Sequence, residues 1–276
     1  MLQSVRQRGS LYGRRKGPKL SAHQASLFES LLPQLKLDLR SGVDSKNYFA
    51  APVDDVWLEI GFGAGEHLVW QAQHHPNIGL IGAEPYQNGM AKLLSKLVSL
   101  SPGIGGEGWG EGVSQTDRSC QAERPPLPQW GRGNYSTHLC LYEGDARDVI
   151  EALPDASLGR IFLLFPDPWP KTRHHKRRFI QMETLDQLAR VMKPGAEFRF
   201  ASDDSGYVEW TLERFLVHPD FEWIVARKDD WRSRPADWPS TRYEQKALHG
   251  VPVFLRFRRQ MVNRPAHLHF GVSKRT

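Results

Sequence analysis

Cysteines and long hydrophobic runs are scarce in this 276-residue chain. Its two cysteines, Cys120 and Cys140, lack the spacing of metal ligands and are too few for the disulfide framework of a small secreted domain. The longest purely apolar run covers residues 161–165, far short of the roughly 18 residues that cross a bilayer. An apolar signal core is also missing near the first residue. We therefore expect a reduced, cytoplasmic protein with no membrane segment and no metal site, and both a monomer and a homodimer stay open.

Acidic residues are missing from residues 1–20 and 254–276, and each of these segments holds six Lys or Arg. A third basic cluster occupies residues 171–178, inside the chain. Blocks of like charge are often only solvated tails. Three such blocks, one of them within the predicted folded region, favour a polyanionic partner such as nucleic acid.

Short apolar runs alternate with helix-like stretches from Val56 onwards, which predicts an α/β fold with a doubly wound, mostly parallel sheet. The seven predicted strands are residues 56–60, 78–84, 137–145, 160–165, 196–202, 221–228 and 251–259. The helices predicted between them are residues 65–75, 88–99, 147–152, 177–192 and 206–217. An earlier helix is predicted from Ser21 to Leu32, ended by Pro33. The last two strands have no predicted helix between them, which fits an antiparallel hairpin at the sheet edge.

We divide the chain into a basic arm (1–20) that we expect to be flexible, one domain (21–260) and a basic tail (261–276). Residues 101–136 interrupt the domain with eight Gly, four Pro and no hydrophobic period. Loops of this length are rare in compact domains unless they are functional or disordered. We interpret this segment as a disordered surface insertion.

A glycine-rich turn follows the first predicted strand and reads Glu59-Ile60-Gly61-Phe62-Gly63-Ala64-Gly65. Glycines let the backbone turn tightly and approach a ligand closely, and we call residues 61–65 the glycine loop. Glu66 stands where the dinucleotide fingerprint has its third glycine, and a carboxylate there would repel a pyrophosphate. The pattern suits S-adenosylmethionine instead, which carries an ammonium, a carboxylate and a sulfonium but no phosphate.

Two further acids, Glu84 and Asp145, end the second and third predicted strands. A carboxylate at the position of Glu84 can accept both hydroxyls of a ribose, and Asp145 could accept the adenine amino group. Asp145 would serve equally well as a helix cap, but Glu84 is followed by Pro85 and fits that role poorly. Because parallel strands end at one edge of the sheet, these acids and the glycine loop predict an adenosyl cofactor site.

The most apolar strand is followed by Phe165-Pro166-Asp167-Pro168-Trp169-Pro170, which we call the proline loop (residues 165–170). Its three prolines restrict the backbone and remove hydrogen-bond donors. We expect this stiff loop to hold Asp167 over the cofactor site.

These motifs resemble those of the tRNA (guanine-N7)-methyltransferase family, TrmB type. The matching words span residues 56–250 and are LEIGFGAGEHL, GAEPY, GDA, LLFPDPWPKTRHHKRRF, ASDDSGYVEW and STRYEQKALHG. The word around the proline loop is specific to that family, whereas residues 101–136 have no counterpart in it. The resemblance implies a Rossmann-like, seven-stranded S-adenosylmethionine-dependent methyltransferase fold with an antiparallel last strand. It also implies methylation of N7 of guanosine 46 in the tRNA variable loop.

The resemblance carries residue roles onto this sequence. The implied cofactor positions are Glu59, Glu84, Asp145 and Asp167, to which the glycine motif adds Gly61, Gly63 and Gly65. Asp167 is also the implied catalytic position. The positions implied for tRNA or guanine binding are Lys171, Asp203, Thr241, Arg242, Tyr243 and Glu244. In the polar loop before the last strand, Trp231, Trp238 and Tyr243 could grip unstacked bases or simply pack on the domain.

The chemistry of guanine N7 agrees with this interpretation, because N7 has an in-plane lone pair and no proton to remove. Its methylation needs alignment and charge stabilisation, and Asp167 could also accept hydrogen bonds from guanine N1–H and the exocyclic amine. Two alternatives stay open. The Pro-Asp-Pro-Trp sequence echoes the loop of amino-group methyltransferases, although Trp169 replaces that loop's second proline. An RNA-binding module without turnover is the other, and the four intact acids argue against it.

Overall fold

The structure is a computed structural model that describes residue 13 and residues 15–100, 137–246 and 249–261. Most of the predicted arm (1–20), the insertion (101–136) and all but the first residue of the predicted tail (261–276) lie outside the described residues. The two predicted ends and the insertion therefore stay predictions.

Seven strands and eight α-helices form the described part of the chain. The strands are β1 (Asp55–Ile60), β2 (Ile78–Ala83), β3 (Leu139–Tyr142), β4 (Leu158–Leu164), β5 (Met192–Ser202), β6 (Phe221–Trp223) and β7 (Val253–Arg259). The helices are α1 (Ala22–Ser30), α2 (Leu32–Leu35), α3 (Glu66–His74), α4 (Gln87–Ser99), α5 (Ala146–Ala152), α6 (Met182–Val191), α7 (Ser205–Val217) and α8 (Arg242–Lys246). None of these helices combines the length and the apolar character that a membrane span requires.

The strands form one sheet in the order β3-β2-β1-β4-β5-β7-β6. Strands β1 to β5 pair in parallel, and β7 pairs antiparallel with both β5 and β6. The predicted seven-stranded, mostly parallel sheet with an antiparallel last strand is confirmed. The expectation that no helix separates the last two strands is wrong, because α8 lies between them. The chain turns from one half of the sheet to the other between β3 and β4, so β1 and β4 flank the switch point where open α/β sheets bind ligands.

Helices cover both faces of the sheet, which explains why most strands read as continuous apolar runs. Side chains of α1 to α4, among them Leu68 and Leu94, form one buried cluster with one face. Side chains of α5 to α7, among them Ile150, Leu188 and Phe215, form a second cluster with the other face. Both layers leave the carboxyl ends of β1 to β4 open to a ligand.

The predicted first helix is divided in two. Ser21 caps α1 through a reciprocal capping box with Gln24. The helix ends at Ser30, and α2 begins at Leu32, so Pro33 lies in the first turn of α2. An N–H is not needed there, and proline is tolerated. The expectation that Pro33 ends the helix is therefore wrong.

The predicted helix over residues 177–192 begins later than expected. Residues 172–177 form a 3-10 turn, which we call the basic turn, and α6 starts at Met182. Arg178, between them, has an extended backbone with φ −58° and ψ 140°, so one helix cannot run through it. Strand β5 follows α6 at once and begins at Met192 rather than at Ala196, because Met192 already pairs with Leu158.

Candidate active site

A cavity of about 440 Å³ opens at the carboxyl ends of β1 to β4, a volume suited to a ligand of nucleoside size. Its walls come from the glycine loop, residues 83–86, residues 145–147 and the proline loop. Six of the predicted site residues line it: Gly61, Gly63, Glu84, Asp145, Asp167 and Tyr243. Segments from four separate strand ends therefore converge on one cavity, as the sequence predicted.

The glycine loop is held in a conformation that residues with side chains rarely adopt. Gly61, Gly63 and Gly65 have φ values of 69°, 58° and 75°. A Cβ on Gly65 would lie 2.4 Å from Leu93 Cδ1 of α4. Gly65 therefore allows α4 to pack beneath the loop, while Gly61 and Gly63 face the cavity.

Glu84 connects the end of β2 to the glycine loop. Its Oε2 accepts a hydrogen bond from the Gly63 N–H at 2.7 Å, and its Oε1 accepts one from the Tyr86 N–H at 2.8 Å. Burial raises the pKa of Glu84 to about 7, although the two N–H donors act in the opposite direction. Each carboxylate oxygen keeps a further lone pair that a ligand hydroxyl can use. The site thus contains a carboxylate whose charge the ligand-free protein stabilises poorly.

Glu59 lies at the end of β1 but not in the cavity wall. Its Oε2 is 2.8 Å from His67 Nδ1, and both side chains are buried. Gln71 Nε2 lies 3.0 Å from His67 Nε2 and also donates to the Asp237 carbonyl oxygen at 3.1 Å. Because an amide nitrogen donates, Nε2 of His67 accepts and Nδ1 donates to Glu59. Glu59 therefore fastens α3 to β1, and its role toward a cofactor stays a prediction.

Asp145 has the helix-cap role that the sequence allowed, and its role toward adenine stays a prediction. It caps α5 by accepting from the Arg147 N–H at 3.0 Å, and it pairs with Arg147 Nη1 at 3.3 Å. The same residue lines the cavity beside Ala146. A helix N-terminus and a carboxylate thus stand side by side at the third strand end.

The proline loop is strained on both sides of Asp167. Phe165 has a φ of 50° and Trp169 a φ of 46°, which are unusual for bulky residues and are typical of functional sites. The Phe165 N–H donates to the Ala201 carbonyl oxygen at 2.7 Å, which fixes the start of the loop on β5. Asp167 remains open to solvent, yet partial desolvation raises its pKa. The loop therefore presents a carboxylate with an enhanced proton affinity at the cavity mouth.

Of the six residues predicted to bind substrate, five lie outside the cavity wall, Lys171 and Asp203 among them. Lys171 is exposed at the start of the basic turn. Asp203, after β5, accepts a hydrogen bond from the His249 N–H at 3.0 Å and borders a separate hollow along α7. Both lie in loops that follow two neighbouring strands, β4 and β5, and their substrate contacts stay predictions.

The segment Thr241–Glu244 forms the beginning of α8. Thr241 is buried, and its Oγ1 accepts from the Glu244 N–H at 3.3 Å, which caps the helix. Glu244 receives a hydrogen bond from Arg234 Nε at 2.9 Å, while Arg242 is exposed. Tyr243 reaches the cavity, where its Cε2 lies 3.1 Å from the position that a Cβ on Gly63 would take. This helix thus brings one aromatic ring against the glycine loop.

Sequence reasoning missed several residues of the cavity wall: Tyr86, Arg147, Trp169, Arg177 and Phe179. Arg177 lies with its Cζ 4.8 Å from the Trp169 ring centre, so the basic turn stacks against the proline loop. Tyr86, Arg147 and Trp169 come shortly after strand ends, which was the available signal for them, whereas Arg177 and Phe179 lie farther along the chain and gave none. By contrast, Trp238 is a core residue, 2% exposed, with its ring centre 5.6 Å from that of Phe254. Of the two alternatives for Trp238, packing on the domain is correct.

The basic turn continues the cavity mouth into a positively charged surface. Lys171, Arg173 and Lys176 are exposed, whereas Arg178 is 2% exposed and is not available to a polyanion. Within the described residues, no three His, Cys, Asp or Glu side chains are grouped as a metal site requires.

Comparisons with known proteins agree with this geometry. A family model described as "Putative methyltransferase" matches residues 54–253. The tRNA (guanine-N(7)-)-methyltransferase of Rhodospirillum rubrum is 44% identical over 256 residues, which cover 90% of this chain and 87% of that protein. The protein of the same name from Brucella abortus is 45% identical over 247 residues, covering 89% and 91%. That of Rhodopseudomonas palustris is 42% identical over 263 residues, covering 94% and 90%.

Proposed function

Because the chain belongs to the tRNA (guanine-N(7)-)-methyltransferase family, we propose that it methylates N7 of guanosine 46 in the variable loop of tRNA. The methyl donor is S-adenosylmethionine. The observation that carries the proposal is the convergence of four strand ends on one cavity, with a carboxylate at its mouth and exposed cations beside it.

The residues of the cavity fit an adenosyl group with a cationic centre. Glu84 is buried with a pKa of about 7, and hydroxyl donors of a ribose would supply the stabilisation that its carboxylate lacks. We assign Asp145, the cap of α5 at the cavity wall, to the adenine amino group. Gly61 and Gly63 place no side chain of their own between the backbone and the ligand. S-Adenosylmethionine supplies an electrophilic methyl group, and the protein supplies its alignment.

Asp167 has two tasks in this proposal. As a carboxylate it accepts hydrogen bonds from guanine N1–H and the exocyclic amine, which adenine does not offer at that edge. Its negative charge also favours the positive charge that moves onto the purine as N7 is methylated. N7 has no proton to lose, so Asp167 orients and stabilises rather than acting as a strong base. Holding the reacting atoms in line is worth about 7–11 kcal/mol.

The exposed cations Lys171, Arg173 and Lys176 are positioned to contact tRNA phosphates next to the cavity. We assign them to tRNA docking, and Tyr243 to the guanine that enters the cavity. A cytoplasmic location is the one we predict for this substrate.

The decisive assay is methylation of unmodified tRNA with labelled S-adenosylmethionine, followed by digestion and identification of the nucleoside. We expect 7-methylguanosine, and we expect its loss when guanosine 46 of the tRNA is replaced by adenosine. N6-methyladenosine would instead indicate an amino-group methyltransferase, and absence of label with folded protein would contradict the proposed reaction.

Asp167→Asn tests the role of the proline loop. The substitution keeps the size of the side chain, removes its charge and turns one acceptor into a donor that faces guanine donors. We expect turnover at saturating S-adenosylmethionine to fall at least 100-fold, about 2.7 kcal/mol in the transition state. tRNA affinity should be retained, because phosphate contacts dominate it. Turnover close to that of the unsubstituted protein would show that Asp167 is only a structural residue of the loop.

A further inference from the structure

Arg178 differs from the rest of the basic cluster in its surroundings. It follows the basic turn directly, yet it is only 2% exposed, whereas Arg173 and Lys176 face solvent. A buried guanidinium that loses its hydration must be compensated by hydrogen bonds or by nearby charge. Its position therefore requires a role that phosphate binding does not explain.

The guanidinium of Arg178 connects the proline loop to the start of α7. Its Nε donates to the Pro168 carbonyl oxygen at 2.9 Å, in the proline loop after β4. Its Nη1 donates to the Gly206 carbonyl oxygen at 3.0 Å, at the start of α7 after β5. Pro168 is the residue next to Asp167, and Gly206 lies three residues beyond Asp203. One planar side chain thus bonds to the loop that carries Asp167 and to the start of the helix that follows Asp203.

Aromatic rings enclose the guanidinium. Its Cζ lies 5.0 Å from the ring centre of Tyr207 and 5.1 Å from that of Trp210, and such contacts stabilise a desolvated cation. The Asp204 carboxylate also favours its charge. Arginine suits this place because its flat fork can donate in two directions and stack on rings at the same time, which lysine cannot do.

We propose that Arg178 is a positioning residue that fixes the proline loop, and with it Asp167, relative to the start of α7 and Asp203. The proposal rests on the catalytic role of Asp167 given under the proposed function. Trp169 requires such support, because its φ of 46° is unfavourable for a side chain of that size. The bond to the carbonyl of Pro168, the residue before Trp169, holds the peptide where the chain takes up this strained conformation.

The segment after Arg178 is anchored without its guanidinium. The Phe179 N–H donates to the Tyr207 hydroxyl at 2.9 Å, and Trp210 Nε1 donates to the Ile180 carbonyl oxygen at 2.7 Å. Removal of the guanidinium should therefore release the proline loop while residues 179–180 stay in place on α7. This separation makes the role testable in a folded protein.

Two substitutions test it: Arg178→Met, which keeps the apolar stem, and Arg178→Lys, which keeps the charge but not the fork. We expect kcat to fall about 10- to 100-fold in Arg178→Met, since misplacement by about 1 Å can cost 100-fold. Arg178→Lys should retain more activity than Arg178→Met but remain below the unsubstituted enzyme. KM for tRNA and the salt dependence of tRNA binding should stay unchanged in both.

Arg173→Met is the matched control, because it removes an exposed arginine of the same cluster. It should show the opposite signature, namely a reduced salt dependence of tRNA binding, which Arg178→Met should not show. If Arg178→Met instead keeps its kcat and loses salt dependence, Arg178 binds phosphate and the proposal is wrong.

Tyr207→Phe separates positioning from general stability, since it removes the hydroxyl that accepts from Phe179 but leaves the guanidinium contacts to both carbonyls. Thermal unfolding should show that Arg178→Lys and Tyr207→Phe are both less stable than the unsubstituted protein. In the activity assay, kcat should be reduced in Arg178→Lys and retained in Tyr207→Phe. Equal losses of kcat in the two would refute the proposal, and this comparison holds even if Arg178→Met fails to fold. Asp167→Asn, measured in parallel, distinguishes failure of the catalytic role of Asp167 from failure of the positioning role of Arg178. If Asp167→Asn retains turnover, the catalytic assignment is wrong. If Asp167→Asn is inactive and Arg178→Met is fully active, only the positioning role of Arg178 is wrong.

Discussion

The stability of the ligand-free protein should fall between pH 4 and pH 8 because of Glu84. Burial raises the pKa of this residue from 4.5 to about 7, so the unfolded chain loses the proton before the folded protein does. A raised pKa contributes stability that is fully present below the unfolded value and is lost as the pH rises through the folded one. The two values differ by about 2.5, and each unit corresponds to about 1.36 kcal/mol, so the loss approaches about 3 kcal/mol.

Urea unfolding of the unsubstituted protein and of Glu84→Gln, from pH 4 to pH 8, measures this loss. The amide cannot ionise, and its NH2 group faces one of the two backbone donors that Glu84 accepts from. That mismatch lowers the free energy of unfolding by about 1–3 kcal/mol at every pH, so it does not change how stability depends on pH. The difference between the two curves should therefore change by about 3 kcal/mol across the range.

Saturating S-adenosylmethionine should remove most of this pH dependence, because ribose hydroxyls that donate to Glu84 favour its ionised form. Parallel curves for the two ligand-free proteins would refute the reasoning, since they would mean that Glu84 is already ionised at pH 5. A pH dependence that persists with bound cofactor would show that the ribose does not reach the carboxylate.

Two further experiments test the surface and the core. The double substitution Arg173→Ala and Lys176→Ala should lower the slope of log affinity for tRNA against log salt by about 0.7–0.9 for each lost phosphate contact. Binding titrations at several salt concentrations measure this slope. An unaltered slope would mean that these cations are only solvated. Trp238→Ala should lower the free energy of unfolding in urea by about 3–5 kcal/mol, because it leaves a cavity beside Phe254. The same substitution at the half-buried Trp231 should lower it less. Equal losses would contradict the different burial of the two rings.

The sheet could be predicted because the physical signal for a strand is local. Strands β1, β2 and β4 are apolar runs ended by glycine, acid or proline, and their predicted positions differ from the observed ones by one or two residues. The boundaries of α6 and β5 could not be predicted, since they depend on contacts made elsewhere in the chain. Met192 belongs to β5 because it pairs with Leu158, and α6 cannot extend through Arg178 because that residue's side chain is drawn toward α7.

The acids of the site show where local reasoning ends. Glu59 and Glu84 both stand at the ends of parallel strands, and a cofactor position was predicted for each of them. In the structure Glu84 lies at the cavity wall and can accept further hydrogen bonds, while Glu59 is buried against His67. The difference arises from α3, which places a histidine over one strand end only, and no spacing along the chain distinguishes the two.

The basic cluster shows the same limit at the level of charge. Arg173 and Arg178 stand five residues apart in one run of cations, so a count of charges treats them alike. The 3-10 turn leaves Arg173 in water and directs Arg178 between the rings of Tyr207 and Trp210, where hydrogen bonds to carbonyl oxygens replace hydration. A cation in water can exchange phosphate partners, whereas the buried Arg178 keeps its bonds to the proline loop and to the start of α7. Neighbouring arginines can therefore differ in function because burial, not charge, decides which of them is accessible to the tRNA.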